Sequence, residues 1–413
     1  MNAIKNVLRL IWQVAFILIV IPLLWICEPF IRIRLGYISN QRIGHMTVNT
    51  EIFLRRKLLF GWPRRTLYLF TTADPANRQM MKMYKRQLHI FESRFLSHVY
   101  FACRDILQKT RFYQPITWSM KDKTPQTIAV INDPVQTVSF TRDEEAQGRA
   151  LLERMGLGAY DWYACFHARD NAYFYKWRPQ LAEHWEKTKL RNADIEDFRG
   201  AMNEVTEAGG FALRVGAVVD APFDNQGNAR IIDYATHHRS DFGDIYLSSK
   251  CRFFLASNSG IVNIPMVFNK PVAIVNLIPL SAVVYRAYDL FIPKTVVETE
   301  SNRIVPYPEL LPLGLFERER AQNTEATLAA NGLQMRNNTP DEIRELCQDM
   351  LDAQNGIVPP PDVRELQLEY QRRFHNYYGV DTGLGFIGPR FARKYAHLIT
   401  ATASEGTATS RTA

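Results

Sequence analysis

The chain has 413 residues, 46% of them apolar and 22% charged, with a net charge of +8. That balance excludes wholesale disorder and leaves room for two ordinary domains with real cores. The charge is uneven: residues 1–124 carry 20 Lys and Arg against 6 Asp and Glu, a net of +14 that leaves −6 for the rest. No tight basic stripe, zinc-finger spacing or aromatic RNA-binding signature accompanies it. An anionic membrane surface is therefore the expected partner, and nucleic acid is not.

In chain order, the first element is Leu10 to Cys27, eighteen residues without a charge. At about 1.5 Å per residue it reaches ~27 Å, close to a hydrocarbon core of ~30 Å. Trp12 and Trp25 lie near its ends, where interfacial aromatics belong. Lys5 and Arg9 flank one side; Arg32, Arg34 and Arg42 flank the other. No small-x-small site follows, so a retained anchor is expected rather than a cleaved signal peptide. Pro22 leaves a re-entrant hairpin open as an alternative. The denser charge after the segment places the body on the cytoplasmic face, in a bacterial inner membrane.

A strand is predicted over residues 31–38, a loop over 39–45, a helix over 47–57, a strand over 65–71 and a helix over 75–88. This alternation indicates a βα domain. Residues 117–141, with Pro125 and Pro134, form a weak stretch read as the domain boundary, and 142–155 reads as a helix. Beyond it come strands at 162–166, 211–215, 230–233, 252–256 and 271–275. Helices at 195–208, capped by Asp194, and at 241–249, capped by Ser240, separate some of them. The expected fold class is α/β with a parallel, doubly wound sheet in the second half. Helices near 340–353 and 363–378 follow, and the Ala/Thr/Ser-rich tail reads as disordered. The expected boundaries are an anchor at 1–30, α/β domains at 31–141 and 142–335, C-terminal helices packing back on the domains at 336–400, and the tail at 401–413.

Five scattered cysteines (Cys27, Cys103, Cys165, Cys251, Cys347) show no CxxC, which argues against a disulfide framework and a zinc site. Cys165 sits in an apolar run and reads as core. Residues 383–388 (GLGFIG) match a dinucleotide fingerprint, but no strand precedes them and Pro389 follows. There is no P-loop and no Asp-x-Asp. His237 and His238 lack partners at ligand spacing. No metal and no cofactor are expected.

Open parallel sheets bind ligands outside the carboxyl ends of their strands. Five predicted strands run into polar groups there: His167-Ala168-Arg169-Asp170, Arg214, Asp233-Tyr234, Ser257-Asn258-Ser259-Gly260, and Asn276. Arg169 and Arg214 could make forked bonds to phosphate oxygens. The Ser257–Gly260 turn could offer hydroxyls and N–H groups, with Gly260 permitting close approach. Asp233 and Tyr234 are the candidates for base or ribose. Gly44, His167, Arg239 and Asp241 complete the set. A purely structural alternative stays open: the arginines could pair with Asp170, Asp233 or Asp241.

Five segments together resemble a bacterial glycosyltransferase family of the GT-B type: 163–170 (YACFHARD), 191–197 (RNADIED), 209–216 (GGFALRVG), 232–244 (IDYATHHRSDFGD) and 246–262 (YLSSKCRFFLASNSGIV). The segment 42–56 (RIGHMTVNTEIFLRR) looks like that family's first loop and helix. The likeness covers residues 35–294. A more distant similarity to fucosyltransferases rests on His167-Ala168-Arg169, which looks like their His-x-Arg motif. It implies that Arg169 binds the donor diphosphate. Asp170 departs from that pattern, so donor identity does not carry over.

The resemblance implies two Rossmann-like domains facing a cleft, the first serving the acceptor and the second the nucleotide-sugar. The expected activity is metal-independent, inverting transfer of a sugar to a glycan, lipid-linked or protein acceptor. His45, Glu51 and Asp170 are the candidate bases. The alternatives are a polysaccharide pyruvyl-type transferase and a non-catalytic, membrane-bound nucleotide-binding subunit.

Overall fold

The computed structural model describes residues 2–116, 125–177, 179–181, 189–278, 280, 286–314, 324–375 and 384–401. The predicted tail falls almost wholly outside these residues, as do parts of the expected boundary and of the 363–378 helix. The chain divides into two compact units: residues 1–122 with 133–145, and residues 123–132 with 146–413.

The first unit begins with helix α1 (Asn2–Ala15), which runs through a π-turn (Phe16–Val20) into α2 (Ile21–Cys27). No hairpin forms at Pro22. Proline has no N–H to give and its ring crowds the preceding turn. Here the backbone widens instead, and the N–H of Ile21 reaches back five residues to the Phe16 carbonyl. Residues 7–27 are long and apolar enough to cross a membrane by length and composition. Yet the helix does not stand clear of its own domain. Trp12, Phe16, Val20 and Leu24, four apart and so on one face, pack with Cys103, Leu107 and Phe112. The Arg9 guanidinium donates to Asp105 at 2.7 Å. Leu10, Val14, Leu18 and Ile26 remain exposed on other faces.

Strands β1 (Arg32–Tyr37), β2 (Thr66–Thr72) and β3 (His89–Glu92) form a parallel sheet in the order β1-β2-β3. Helices α3 (Ile43–Phe60), α4 (Arg78–Lys85) and α5 (Arg94–Leu107) follow each strand in turn. Asn77 and Ser93 cap α4 and α5 by accepting from N–H groups of the first turn. Among the described residues this is a three-stranded sheet, smaller than the Rossmann-like domain expected. Helix α3 starts four residues earlier than predicted, so Gly44 and His45 lie in its first turn.

A buried polar knot ties the returning segment 133–145 to this unit. Glu51 and Arg55, one turn apart on α3, pair at 2.6 Å with both side chains almost fully buried. Thr137 donates to the other Glu51 oxygen at 2.6 Å, and Arg55 donates to the Asp133 carbonyl. Glu144 accepts from Gln79 and Arg86, each at 3.0 Å.

The second unit carries a seven-stranded sheet built from β4 (Tyr163–His167), β5 (Phe211–Arg214), β6 (Ile231–Asp233), β7 (Phe254–Ser257), β8 (Val272–Leu277), β9 (Leu290–Pro293) and β12 (Phe386–Ile387). Its order is β12-β9-β8-β7-β4-β5-β6, and every pairing is parallel. Strands β4, β5 and β6 step one way from the centre; β7, β8 and β9 step the other. This is the strand order of a dinucleotide-type doubly wound fold. Strands β10 (Thr295–Glu298) and β11 (Leu333–Arg336) form a separate antiparallel pair.

Gly209, at φ 87°, ends the Arg199–Glu207 helix in the left-handed region that glycine tolerates. Ser240 caps the Asp241–Lys250 helix by accepting from the Gly243 N–H. The Pro340–Gln354 helix starts with a full capping box, Thr339 with Glu342, and packs on the Arg199–Glu207 helix. Cys347 donates to the Ala201 carbonyl and Arg344 pairs with Glu204. Within the GLGFIG segment, Phe386 and Ile387 are the edge strand β12, not a phosphate-binding turn; Gly383 lies outside the described residues.

Replacing Glu51 with alanine should cost about 3–5 kcal/mol, because it strands the buried Arg55 guanidinium. Urea unfolding of the variant measures this. A loss below 1 kcal/mol would show that the pair does not hold the segment 133–145.

Candidate functional site

The strand order of the second unit's sheet reverses between β4 and β7. At that point the loops leaving two neighbouring strands turn to opposite faces and open a crevice between them. The loop after β4 begins Ala168-Arg169-Asp170; the turn after β7 is Asn258-Ser259-Gly260. One hydrogen bond spans the two: the Arg169 backbone N–H donates to Ser257 Oγ at 2.7 Å. The strands are in register beneath it, His167 opposite Ala256.

Arg169 is 5% exposed. Its Nη1 donates to Asn192 Oδ1 at 2.5 Å, and its carbonyl accepts from the Ala193 N–H at 2.9 Å. The Asn192 amide is thus one of the groups that orient the guanidinium. Ser257 is fully buried and its oxygen is occupied by the Arg169 N–H, so it positions the loop and does not present a hydroxyl to a ligand. Asn258 donates its side-chain amide to the Ile278 carbonyl. Ser259 precedes the Gly260–Val262 turn of helix without a side-chain cap bond, and Gly260 is exposed beside it. The outward-facing part of the turn is therefore Ser259 and Gly260.

Asp170 follows Arg169 in the same loop and reaches towards the loop after β5. Its carboxylate accepts from the Ala172 N–H at 3.0 Å and the Asp220 N–H at 3.2 Å. Partial burial raises its pKa above the ordinary carboxylate value, against those bonds and the charges of Arg214 and Arg169. His167 presents Nδ1 to the Val215 carbonyl at 2.9 Å. A carbonyl only accepts, so the proton is on Nδ1 and Nε2 is the basic nitrogen. Burial, then the nearby Arg214 and Arg169 charges, push the imidazole pKa down to about 4.

Other expected ligand groups are spent on the fold. Arg214 is buried, donating to Asp233 Oδ2 at 3.2 Å and to the Ala221 carbonyl at 2.7 Å. That same Asp233 oxygen also accepts from the Phe223 N–H and the Thr236 hydroxyl. The expectation of Arg214 on a diphosphate and Asp233 on a nucleoside therefore gives way to the structural alternative, a buried ion pair closing the loop after β5. Tyr234 is buried, its hydroxyl bonded to Ser240 and Asp244. Arg239 pairs with Asp241 at 2.6 Å and Asp244 at 3.0 Å.

In the first unit, Glu51 belongs to the buried knot with Arg55 and Thr137, which leaves it no path to an acceptor. His45 is exposed in the first turn of α3, and Gly44 beneath it is buried with its carbonyl accepting from Thr47. Of the three candidate bases, Asp170 is the one that the second unit itself carries, in the loop after β4.

Sequence reasoning missed Asn192 and Lys294 at the carboxyl end of this sheet, and it named Asn276 at a strand end without its partner. Asn192 lay inside the RNADIED segment without a role. Asn276, at φ 54°, exchanges backbone-to-amide bonds with Asn338 at 2.6 and 2.7 Å. Lys294, just past β9, is buried, and burial lowers its pKa to about 8. An Asn in the left-handed region after an apolar run was the one readable signal among these. Among the described residues no cluster of three or more His, Cys, Asp or Glu is arranged to hold a metal ion.

No protein-family model matches the chain, and no curated protein matches it. Among solved structures it is similar to the E. coli ADP-heptose LPS heptosyltransferase II, with TM-score 0.38 and 11% identity over 59% of this chain and 84% of that one. It is also similar to a family 9 glycosyl transferase from Veillonella parvula, with TM-score 0.36 and 10% identity over 59% and 80%. A third is the E. coli heptosyltransferase WaaC with ADP-2-deoxy-2-fluoro heptose, with TM-score 0.34 and 10% identity over 63% and 93%. Overlaps this loose transfer neither a substrate nor a residue role.

His167 makes stability depend on pH. Its folded pKa lies below the ordinary 6.5, so between pH 6.5 and 4 the unfolded chain takes up a proton that the folded chain refuses. Stability should fall across that window by up to ~3 kcal/mol, at 1.36 kcal/mol per pKa unit. Replacing His167 with Gln should flatten that part of the profile in denaturant unfolding. An unchanged slope would place the imidazole in a solvated environment.

Proposed function

We propose that this protein is a glycosyltransferase whose second unit holds the diphosphate of a nucleotide-sugar at the β4/β7 crevice. The observation that carries the reading is the Arg169 N–H bond to Ser257 Oγ at the reversal point of the sheet. It fixes a cation-bearing loop beside a Ser-Gly turn where doubly wound sheets take their ligands. The sequence resemblance to glycosyltransferases, argued from residues in the same two loops, supports it.

In this reading the guanidinium of Arg169 and the N–H groups of the Ser259–Gly260 turn face the two phosphates. An acceptor hydroxyl attacks the anomeric carbon while Asp170 takes its proton. The bond from that carbon to the diphosphate oxygen breaks, and the nucleoside diphosphate leaves with the electron pair. Arg169 and the turn offset the charge that grows on it. A carboxylate whose proton affinity burial raises suits the base. The transfer is metal-independent and inverts the anomeric centre. The apolar helix keeps the enzyme on the cytoplasmic face of a bacterial inner membrane, near a glycan, lipid-linked or protein acceptor.

Replacing Arg169 with Ala should weaken nucleoside diphosphate binding about 10- to 100-fold, the span of one charge-assisted hydrogen bond. Calorimetry against a panel of nucleotides tests it, and unchanged affinity in a folded variant would remove the reading. Replacing Asp170 with Asn should lower kcat about 10²–10⁴-fold with donor affinity kept. Product mass separates the alternatives: a hexose-sized gain fits sugar transfer, a ketal fits a pyruvyl-type transferase, and binding without turnover fits a non-catalytic subunit.

A further inference from the structure

A second basic feature lies in the first unit, where α2 ends. A cavity of about 890 Å³ is lined there by five arginines (Arg32, Arg34, Arg64, Arg65, Arg111), one carboxylate (Glu28), and Trp25, Pro29 and Phe30. Glu28 is committed: both its oxygens accept from Arg34 at 3.0 Å. Arg111 lies over the Trp25 ring, its guanidinium carbon 4.7 Å from the ring centre. Arg32, Arg64, Arg65 and Arg111 are all exposed. The lining therefore carries four more positive than negative charges.

The backbone works to assemble this cluster. Arg64 and Arg65 form the turn that enters β2, and Arg65 sits at φ 58°, a conformation that a long side chain rarely adopts. The Arg65 carbonyl accepts from the Arg32 N–H at 2.7 Å, which brings the starts of β1 and β2 together and sets their arginines side by side. Like charges so placed repel, and an arrangement that gathers them favours an anion between them.

We propose that this pocket binds the phosphate of a membrane lipid headgroup. Free phosphate or diphosphate shares the chemistry, but the position favours the lipid. The pocket opens where the uncharged run ends at Cys27, which is headgroup depth for a helix that enters a bilayer. Trp25 lines it, and Phe30, 75% exposed, stands at its edge. An aromatic lip beside a cationic floor suits a ligand that is apolar on one side and phosphorylated on the other. The assignment does not depend on the activity proposed for the second unit.

The test titrates the full-length chain, in a non-ionic detergent, with short-chain phosphatidic acid by calorimetry. Phosphatidylcholine of the same chain length and inorganic pyrophosphate are run in parallel. Phosphatidic acid should bind best. Replacing Arg64, Arg65 and Arg111 together with Gln should weaken it about a hundredfold, at the fivefold or so that one basic residue near an anionic surface contributes. Replacing Arg56, Lys85 and Lys109 with Gln removes the same charge outside the pocket and should change affinity little. Equal losses in the two triple variants would mean diffuse attraction and overturn the site. Pyrophosphate binding as tightly as phosphatidic acid would overturn the lipid assignment. Since the three pocket arginines are exposed, an unchanged melting midpoint checks that the variant is folded.

Discussion

The candidate site hangs on one contact, the bond from the Arg169 N–H to Ser257 Oγ. A buried serine oxygen at the end of one strand accepts from the loop leaving its neighbour, at the place where the strand order reverses. Pairing of β4 with β7 brings the two loops side by side, and this tie fixes the start of one against the end of the other strand. Asn192 then orients the guanidinium from the side. Backbone N–H groups from Ala172 and Asp220 hold the Asp170 carboxylate in place. Each of these is a hydrogen bond to a buried or half-buried group, the kind whose loss leaves a polar atom stranded away from water.

Much of the second unit was legible because its strands are apolar runs bounded by caps and turn residues. Ser240, Asp194 and Gly209 act where their chemistry says they should. The short strands β9 and β12 were not legible: four and two residues long, they form by pairing at the sheet's flank and carry no period of their own. The start of α3 was misplaced for a related reason. Gly44 discourages helix in isolation, but tertiary burial overrides the propensity.

The candidate site shows the limit of reading strand ends. Polar residues after strands were found, but sequence alone could not say which were committed inward. Arg169 and Arg214 look alike in the chain, each at or just past a strand. In the structure Arg214 meets the carboxylate directly opposite it on the adjacent strand β6, at the carboxyl edge of the sheet. Arg169 meets an amide from a distant loop. The difference lies in non-local partners, Asp233 and Asn192, which only folding brings near. Glu51, a candidate base in the sequence, shows the same limit: it and Arg55, one turn on along α3, are both buried against the returning chain.

The long apolar helix is seated lengthwise against its own domain, from Arg9 at Asp105 to Leu24 beside Phe112. A protein hung from a bilayer by a slack linker can tumble through most orientations. One whose hydrophobic rod is fused to its flank has surrendered two of its three rotations, and keeps chiefly the spin about the membrane normal. If that helix enters a bilayer, the fold also sets the unit's distance from the lipid surface, and lipid-borne molecules meet it at one height and one tilt.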